Sequence, residues 1–273
     1  MILNAIDKRI RQAFSSAAMQ YDVLSSLQRE IGRELVNKIN DVSLHPRGVI
    51  NTPGVEMENN AYILDVGMGT GWMTNRLANL FPDAKVIGID SAVGMIQEAR
   101  KKYAHLTSVN ADARVLPFKS GQFDVVISNL AYQWVPDLTK AFAETHRLLQ
   151  REGTLCLTMF GNGTLKELFA SFEAAKDKKI FVHRLADRTA IEEALHNACF
   201  REIHIETETI KVHFPDMLSL IKWLKDIGAN ILPKNGFIGK ELMLEAGEYY
   251  RNNFSDRLGI TSTFEVIWIK AQK

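Results

Sequence analysis

The chain has 273 residues, 46% apolar and 24% charged, with 33 basic against 32 acidic side chains and a formal charge of +1. That is long enough for one elaborated domain with a large core, and the near-neutral balance argues against a nucleic-acid or membrane binder driven by charge. Two cysteines, Cys156 and Cys199, and seven histidines without CxxC or HExxH spacing imply buried free thiols, no disulfide and no metal.

The opening stretch MILNAIDKRIRQAF lacks an uninterrupted apolar core. It reads as a surface helix rather than a secretory signal, although a basic amphipathic stretch is also the character of a transit peptide. No later run is long and apolar enough to span a bilayer, and a cytoplasmic location is the expectation. Helical periodicity covers residues 5–40, with Leu24, Leu27, Ile31 and Leu35 as its apolar positions. HPRGVINTPGVEMENN then reads as a linker.

Beyond the linker, apolar strand-like runs alternate with helical patterns. Strands are predicted at 61–66, 85–89, 106–110, 123–128 and 154–160, and helices at 71–81, 92–103 and 138–149. This alternation implies a doubly wound, mostly parallel α/β sheet covered on both faces. Further helices are predicted at 164–175, 188–198, 215–227 and 240–250, with strands at 202–212 and 263–269, for seven strands in all. In 215–227, Met217, Leu220, Ile221, Leu224 and Ile227 share one face.

The most informative stretch is YILDVGMGTGWMTNRL. A dinucleotide loop reads G-x-G-x-x-G and presents a helix N-terminus to a pyrophosphate. Here Gly67, Gly69 and Gly71 are spaced G-x-G-x-G, Trp72 stands where the third dinucleotide glycine would be, and Asp65 precedes the loop. A carboxylate repels a pyrophosphate and attracts an ammonium group. S-adenosylmethionine has the ammonium and no phosphate, so Asp65 is placed to attract it, directly or through water, while the glycines admit close backbone approach. Asp90, ending the next strand, is placed to accept from both ribose hydroxyls. Asp112, at the mouth of the third strand, is placed to accept from the adenine amino group, with Met95 covering the adenine face. Taken singly, each aspartate also suits a helix cap or a turn.

These residues, with FDVVISN and RLLQREGTL, resemble the class I S-adenosylmethionine-dependent methyltransferases over about residues 60–160. Outside that core, AAMQYDVLSSLQ, SNLAYQWVPDL, FGNGTLKEL, WLKDIGAN and STFEVIWIK resemble one family, malonyl-[acyl-carrier protein] O-methyltransferase of early biotin synthesis. The resemblance implies transfer of a methyl group to the free carboxylate of a malonyl thioester, on an acyl-carrier protein or coenzyme A. Another small-molecule acceptor, such as a quinone or a different carboxylic acid, is the alternative. It also implies an N-terminal helical segment (1–45), a cofactor core (60–160) and helical insertions at 161–200 and 214–258 forming a substrate lid.

The cofactor contacts expected on this basis are Tyr21, Gln28, Asp65, Gly67, Gly69, Asp90, Ser91, Met95, Asp112, Ala113, Asn129 and Leu130. Tyr21 either positions the methionine end or the acceptor, or packs its helix on the core; Gln28 is assigned to the cofactor carboxylate. Gln133 and Trp134 are expected at the acceptor pocket, Trp134 either as its wall or as a packing residue. Phe169 and Phe172 read as core, and His146 as a surface helix residue. A carboxylate acceptor is ionised at neutral pH and needs no general base, though a buried arginine or lysine is expected to pair with it. For an acidic carrier protein, Lys176, Lys178, Lys179, Arg184, Lys222 and Lys225 are the candidate docking cations, or simply solvated helix faces.

Overall fold

The computed structural model describes residues 2–39, 61–176, 185–229 and 239–273, with the side chains of 2–6 and 176 excepted. The expected linker at 45–60 lies outside the described residues.

Two helices open the chain, α1 (Ile2–Leu24) and α2 (Ser26–Ile39), separated at the buried Ser25. The parallel half follows: β1 (Tyr62–Val66), α3 (Trp72–Leu80), β2 (Lys85–Asp90), α4 (Val93–Lys102), β3 (Thr107–Asn110), β4 (Phe123–Asn129), a short 3-10 turn at Tyr132–Trp134, α5 (Leu138–Leu148) and β5 (Leu149–Phe160). Then come α6 (Lys166–Lys176), α7 (Arg188–Asn197), β6 (Arg201–Phe214), α8 (Met217–Asp226), α9 (Lys240–Asn253), β7 (Ser255–Asp256) and β8 (Gly259–Gln272).

Strands line up in the order β3-β2-β1-β4-β5-β8-β6. The first five are mutually parallel; β8 runs antiparallel between β5 and β6. The seven expected strands are joined by an eighth, the two-residue β7 on the edge of β8. It is too short to leave an apolar pattern. Strand order reverses between β1 and β4, so the crevice beyond their carboxyl ends is where a ligand is expected in such a sheet.

Apolar strand runs explain why this sheet is covered on both faces. Leu64, Val126, Leu155 and Leu157 pack with α5 and α7 on one side. Ile63, Val125, Ile127 and Cys156 pack with α2 and α3 on the other. Aspartate caps start three helices: Asp137 accepts from Lys140 N, Asp187 from Ala190 N and Asp216 from Ser219 N, each worth about 0.5–2 kcal/mol. A third apolar cluster joins α6, α8 and α9 to the start of β8 through Leu168, Phe172, Leu220, Leu224, Tyr250 and Phe264. Of the two thiols, Cys156 is buried as expected, whereas Cys199 is exposed. It stands in the turn after α7 at φ 66, where the chain reverses into β6 and its side chain leaves the core.

Candidate active site

The glycine loop turns sharply off β1. Gly67 N and Met68 N both donate to Ile89 O at 2.8 Å, and Gly71 N donates to Met68 O at 3.0 Å. Gly67, Gly69 and Gly71 sit at φ +78, +56 and +88, the left-handed region that glycine enters without Cβ strain. A Cβ on Gly67 would lie 2.2 Å from the Ala131 Cβ, whereas one on Gly69 would meet nothing within 4 Å. Space lies over Gly69.

Asp90 fastens this loop. Its Oδ2 accepts from Gly69 N at 2.9 Å and its Oδ1 from Ala92 N at 2.8 Å. Burial raises its carboxyl to about 6 against the pull of those amides. Asp65 is wholly buried beneath the loop. Its Oδ2 accepts from Thr74 Oγ1 at 2.6 Å, while its Oδ1 has no partner. Burial, opposed by the Thr74 bond and aided by the Asp90 charge, raises it to about 7.

A cleft of about 120 Å³ adjoins the loop and brings together Tyr21, Gly67, Gly69, Asp90, Ser91, Met95, Asp112, Ala113, Asn129 and Leu130, all expected there, together with Trp134 from the expected acceptor side. Asp65 and Gln28 are not among its lining residues. Asn129 spends its side chain on the scaffold: Nδ2 donates to Gln28 O and Oδ1 accepts from Thr158 Oγ1, both at 2.8 Å. Any contact it makes with a ligand falls to its backbone. Asp112 is held in ion pairs with Arg11 and Arg114. Hydrogen bonds from Arg114, with the Arg11 charge nearby, bring its carboxyl down to about 2.

A second cavity of about 410 Å³ lies beside the first. Phe14, Tyr21, Leu130 and Trp134 line both. The larger cavity is walled by Phe160, Phe169, Phe172, Trp223 and Phe264, with Gln28, Gln133, Asn162 and Thr164 as its neutral polar groups. Phe169 and Phe172, read from sequence as core, therefore also face a cavity. No described lining residue is Lys or Arg, and Glu173 and Asp187 contribute carboxylates, so the expected basic partner for an acidic acceptor is absent among the described residues. Gln28 lies in this cavity rather than the cleft; it is 8% exposed and its Oε1 has no partner.

At the junction, Leu130 adopts φ +53 and donates its N–H to Thr158 O at 3.0 Å. A non-glycine residue in that region carries strain of order 1–3 kcal/mol, here between the two cavities. Trp134 meets the Phe14 ring edge-on at 5.4 Å. Burial and the Asp90 charge raise the Tyr21 phenol above its ordinary range, so it stays protonated at neutral pH. His146 is half-buried, edge-on against Phe200 at 5.3 Å, away from both cavities. Sequence reasoning missed Asp7, Arg11, Phe14 and Arg114. Their only trace is the Asp7/Arg11 spacing of one helical turn and an arginine two residues after Asp112.

A family model described as a methyltransferase domain matches residues 64–157. The YcgJ protein from Bacillus subtilis superposes with a TM-score of 0.60 at 14% identity, over 88% of this chain and 98% of its own. Phosphoethanolamine N-methyltransferase 2 of Haemonchus contortus, in complex with S-adenosyl-L-methionine, superposes at 0.56 and 20% identity, over 95% of this chain and 57% of its own. Fold and cleft together define a class I, Rossmann-like methyltransferase. Relatives over nearly the full length narrow the class. The malonyl-[acyl-carrier protein] O-methyltransferase of Gallionella capsiferriformans is 34% identical over 98% of this chain and 91% of its own, and that of Geobacter sulfurreducens 33% over 96% and 98%. The chain belongs to the malonyl-[acyl-carrier protein] O-methyltransferase family.

Proposed function

We propose that the chain moves a methyl group from S-adenosylmethionine to the free carboxylate of a malonyl thioester on an acyl-carrier protein. The observation that carries this reading is the shared wall of Phe14, Tyr21, Leu130 and Trp134 between a small cleft bearing Asp90, Asp112 and Arg114 and a larger aromatic cavity. Donor and acceptor would meet across it.

The cleft fits the donor. Asp65 offers an unpaired, buried oxygen beneath the loop, suited to an ammonium group directly or through a water. Gly67 and Gly69 open the backbone to close approach, Asp90 has carboxylate lone pairs left for ribose hydroxyls, and Ser91, Met95 and Ala113 line the nucleoside side. Asn129 and Leu130 border the methionine side, and Tyr21 spans both spaces. When bound, the donor supplies an electrophilic methyl on a positively charged sulfur.

The protein's own contribution is alignment and exclusion of water. A malonyl carboxylate is already ionised at neutral pH, so no side chain needs to remove a proton. Aromatic walls strip water from it, and the narrow junction fixes its approach. Gln28, Gln133 and Asn162 can orient the acceptor by neutral amides, without the tight ion pair that would blunt its nucleophilicity. The helices that bound the larger cavity, α6 and α8, serve as the acceptor lid.

For an acidic carrier, Lys222 and Lys225 stand exposed on the outer side of α8, Lys222 paired with Asp226. Lys178, Lys179, Arg184 and the Lys176 side chain lie outside the described residues. Methyl transfer measured on malonyl-, acetyl- and butyryl-carrier proteins tests the function: only the malonyl form should react. Reaction of an unrelated carboxylic acid, with none of malonyl thioesters, would overturn the assignment.

A further inference from the structure

The Asp112 carboxylate is saturated. Its Oδ1 accepts from Arg114 N and Nε, both at 2.9 Å; its Oδ2 accepts from Arg114 Nη2 at 2.7 Å and from Arg11 Nη2. A carboxylate has about four lone-pair directions, so none is left for an adenine amino group. Arg114 Nη2 also reaches Asp7 Oδ2 at 2.6 Å. Asp7 and Arg11, one turn apart on α1, thus grip Asp112 and Arg114 from above.

Further along α1, Asp22 accepts from Thr70 Oγ1 in the glycine loop and from Lys102 Nζ at 2.7 Å, and pairs with Arg29 at 3.1 Å. Residues 11 and 22 are ~16 Å apart along a helix, so α1 is tied down at both ends of the cleft it roofs with Asp7, Ile10, Arg11 and Phe14. The roofed space, about 120 Å³, is smaller than the ~300–1,000 Å³ of pockets that bury drug-sized ligands.

We propose that Arg11 is a gating residue of the donor cleft, holding Asp112 until the adenine amino group replaces it there. The inference rests on the donor reading above. The two arms of the grip differ in a way that decides which one yields. In the Asp7–Arg114 pair the side chains are 9% and 21% exposed, whereas in the Arg11–Asp112 pair they are 27% for the aspartate and 39% for the arginine. More exposed ion pairs contribute less and are screened by salt. Arg11 releases Asp112, while Arg114 stays bound to Asp7 and keeps the carboxylate aimed at the cleft.

Stopped-flow association of S-adenosylhomocysteine, which carries no sulfonium charge, tests this in the full-length protein. Arg11→Met should speed association about twofold to fivefold, the span of a partly exposed ion pair. Wild-type association should quicken with added salt, and the variant's should not. Unchanged association, or affinity weakened by the substitution, would overturn the proposal. Arg11→Lys, which keeps the charge without the fork, should fall between the two and serves if the methionine variant is unstable. Asp112→Asn should weaken binding in both backgrounds; unchanged affinity there would remove the adenine contact itself and sink the proposal from that side, with the donor's other contacts intact.

Discussion

Alanine at Gly67 and at Gly69 should have opposite consequences. Both positions are left-handed, so a Cβ costs about 1–2 kcal/mol in either. At Gly67 the new methyl would also lie 2.2 Å from the Ala131 Cβ. The neighbour is a backbone-anchored methyl next to the strained Leu130, not the end of a flexible side chain, so an overpacking cost of about 1–3 kcal/mol is added. The sum, about 2–5 kcal/mol, is a large share of a typical ~5–15 kcal/mol stability. At ~2–4 °C per kcal/mol for chains approaching this size, Gly67→Ala should lower Tm by roughly 4–20 °C. Gly69→Ala meets no atom within 4 Å, so it should lose only about 1–2 kcal/mol of stability. Its methyl would stand in the cleft, and S-adenosylhomocysteine binding should fall at least ~10-fold, or about 1.4 kcal/mol. Thermal circular dichroism and titration calorimetry on the two variants separate these effects. A wild-type Tm for Gly67→Ala would refute the loop packing, and undiminished affinity for Gly69→Ala would refute close approach of the donor to the loop.

Asp90→Asn leaves one of Gly69 N and Ala92 N without its carboxylate acceptor, and donor affinity should drop by about 1–3 kcal/mol; calorimetry showing no loss would contradict the ribose role. Donor affinity should fall as pH is lowered through about 7 to 6, because Asp65 and Asp90 take up protons there, while the ammonium group favours an ionised Asp65 and the ribose hydroxyls an ionised Asp90; a flat calorimetric profile would count against both contacts. Both carboxyls are raised above their unfolded values, so the ligand-free protein keeps their stabilising contribution below about pH 4. It loses that contribution as pH rises through 6–7, and Asp65→Asn should flatten the corresponding fall in Tm. Tyr21→Phe should lower turnover with little change in Tm if the phenol orients reactants, and unchanged kinetics would return it to packing. Lys222→Glu with Lys225→Glu should raise KM for malonyl-carrier protein but not for malonyl-coenzyme A; equal effects on both would remove α8 from carrier docking.

Much of the parallel half was legible because its strands are short apolar runs stopped by glycine or aspartate. β2 was expected at 85–89 and runs Lys85–Asp90, and β4 was expected at 123–128 and runs Phe123–Asn129. The antiparallel strands extend further than their apolar patterns: β6, expected at 202–212, runs Arg201–Phe214, and β8, expected at 263–269, runs Gly259–Gln272, because ladder pairing carries the backbone past the apolar runs at both ends. That Asp90, Gly67 and Gly69 would come together at one cleft was legible because loop geometry is local. Gln28 was not: which cavity it faces depends on how α2 is rotated against the sheet, and the helical period alone leaves that open. Arg11 and Asp7 escaped for a related reason. Their partners lie 101 and 107 residues away, and an Asp and an Arg one turn apart look like an ordinary solvated helix face.

The central claim is that this junction esterifies the free carboxyl group of malonate while it is held on a carrier protein. Intact-protein mass spectrometry of malonyl-carrier protein, incubated with the enzyme and S-adenosylmethionine, tests it most directly. The account predicts that the carrier gains one methyl group in place of one proton, and that mild base removes it. A carrier of unchanged mass, under conditions where the enzyme demonstrably binds S-adenosylhomocysteine, would contradict it.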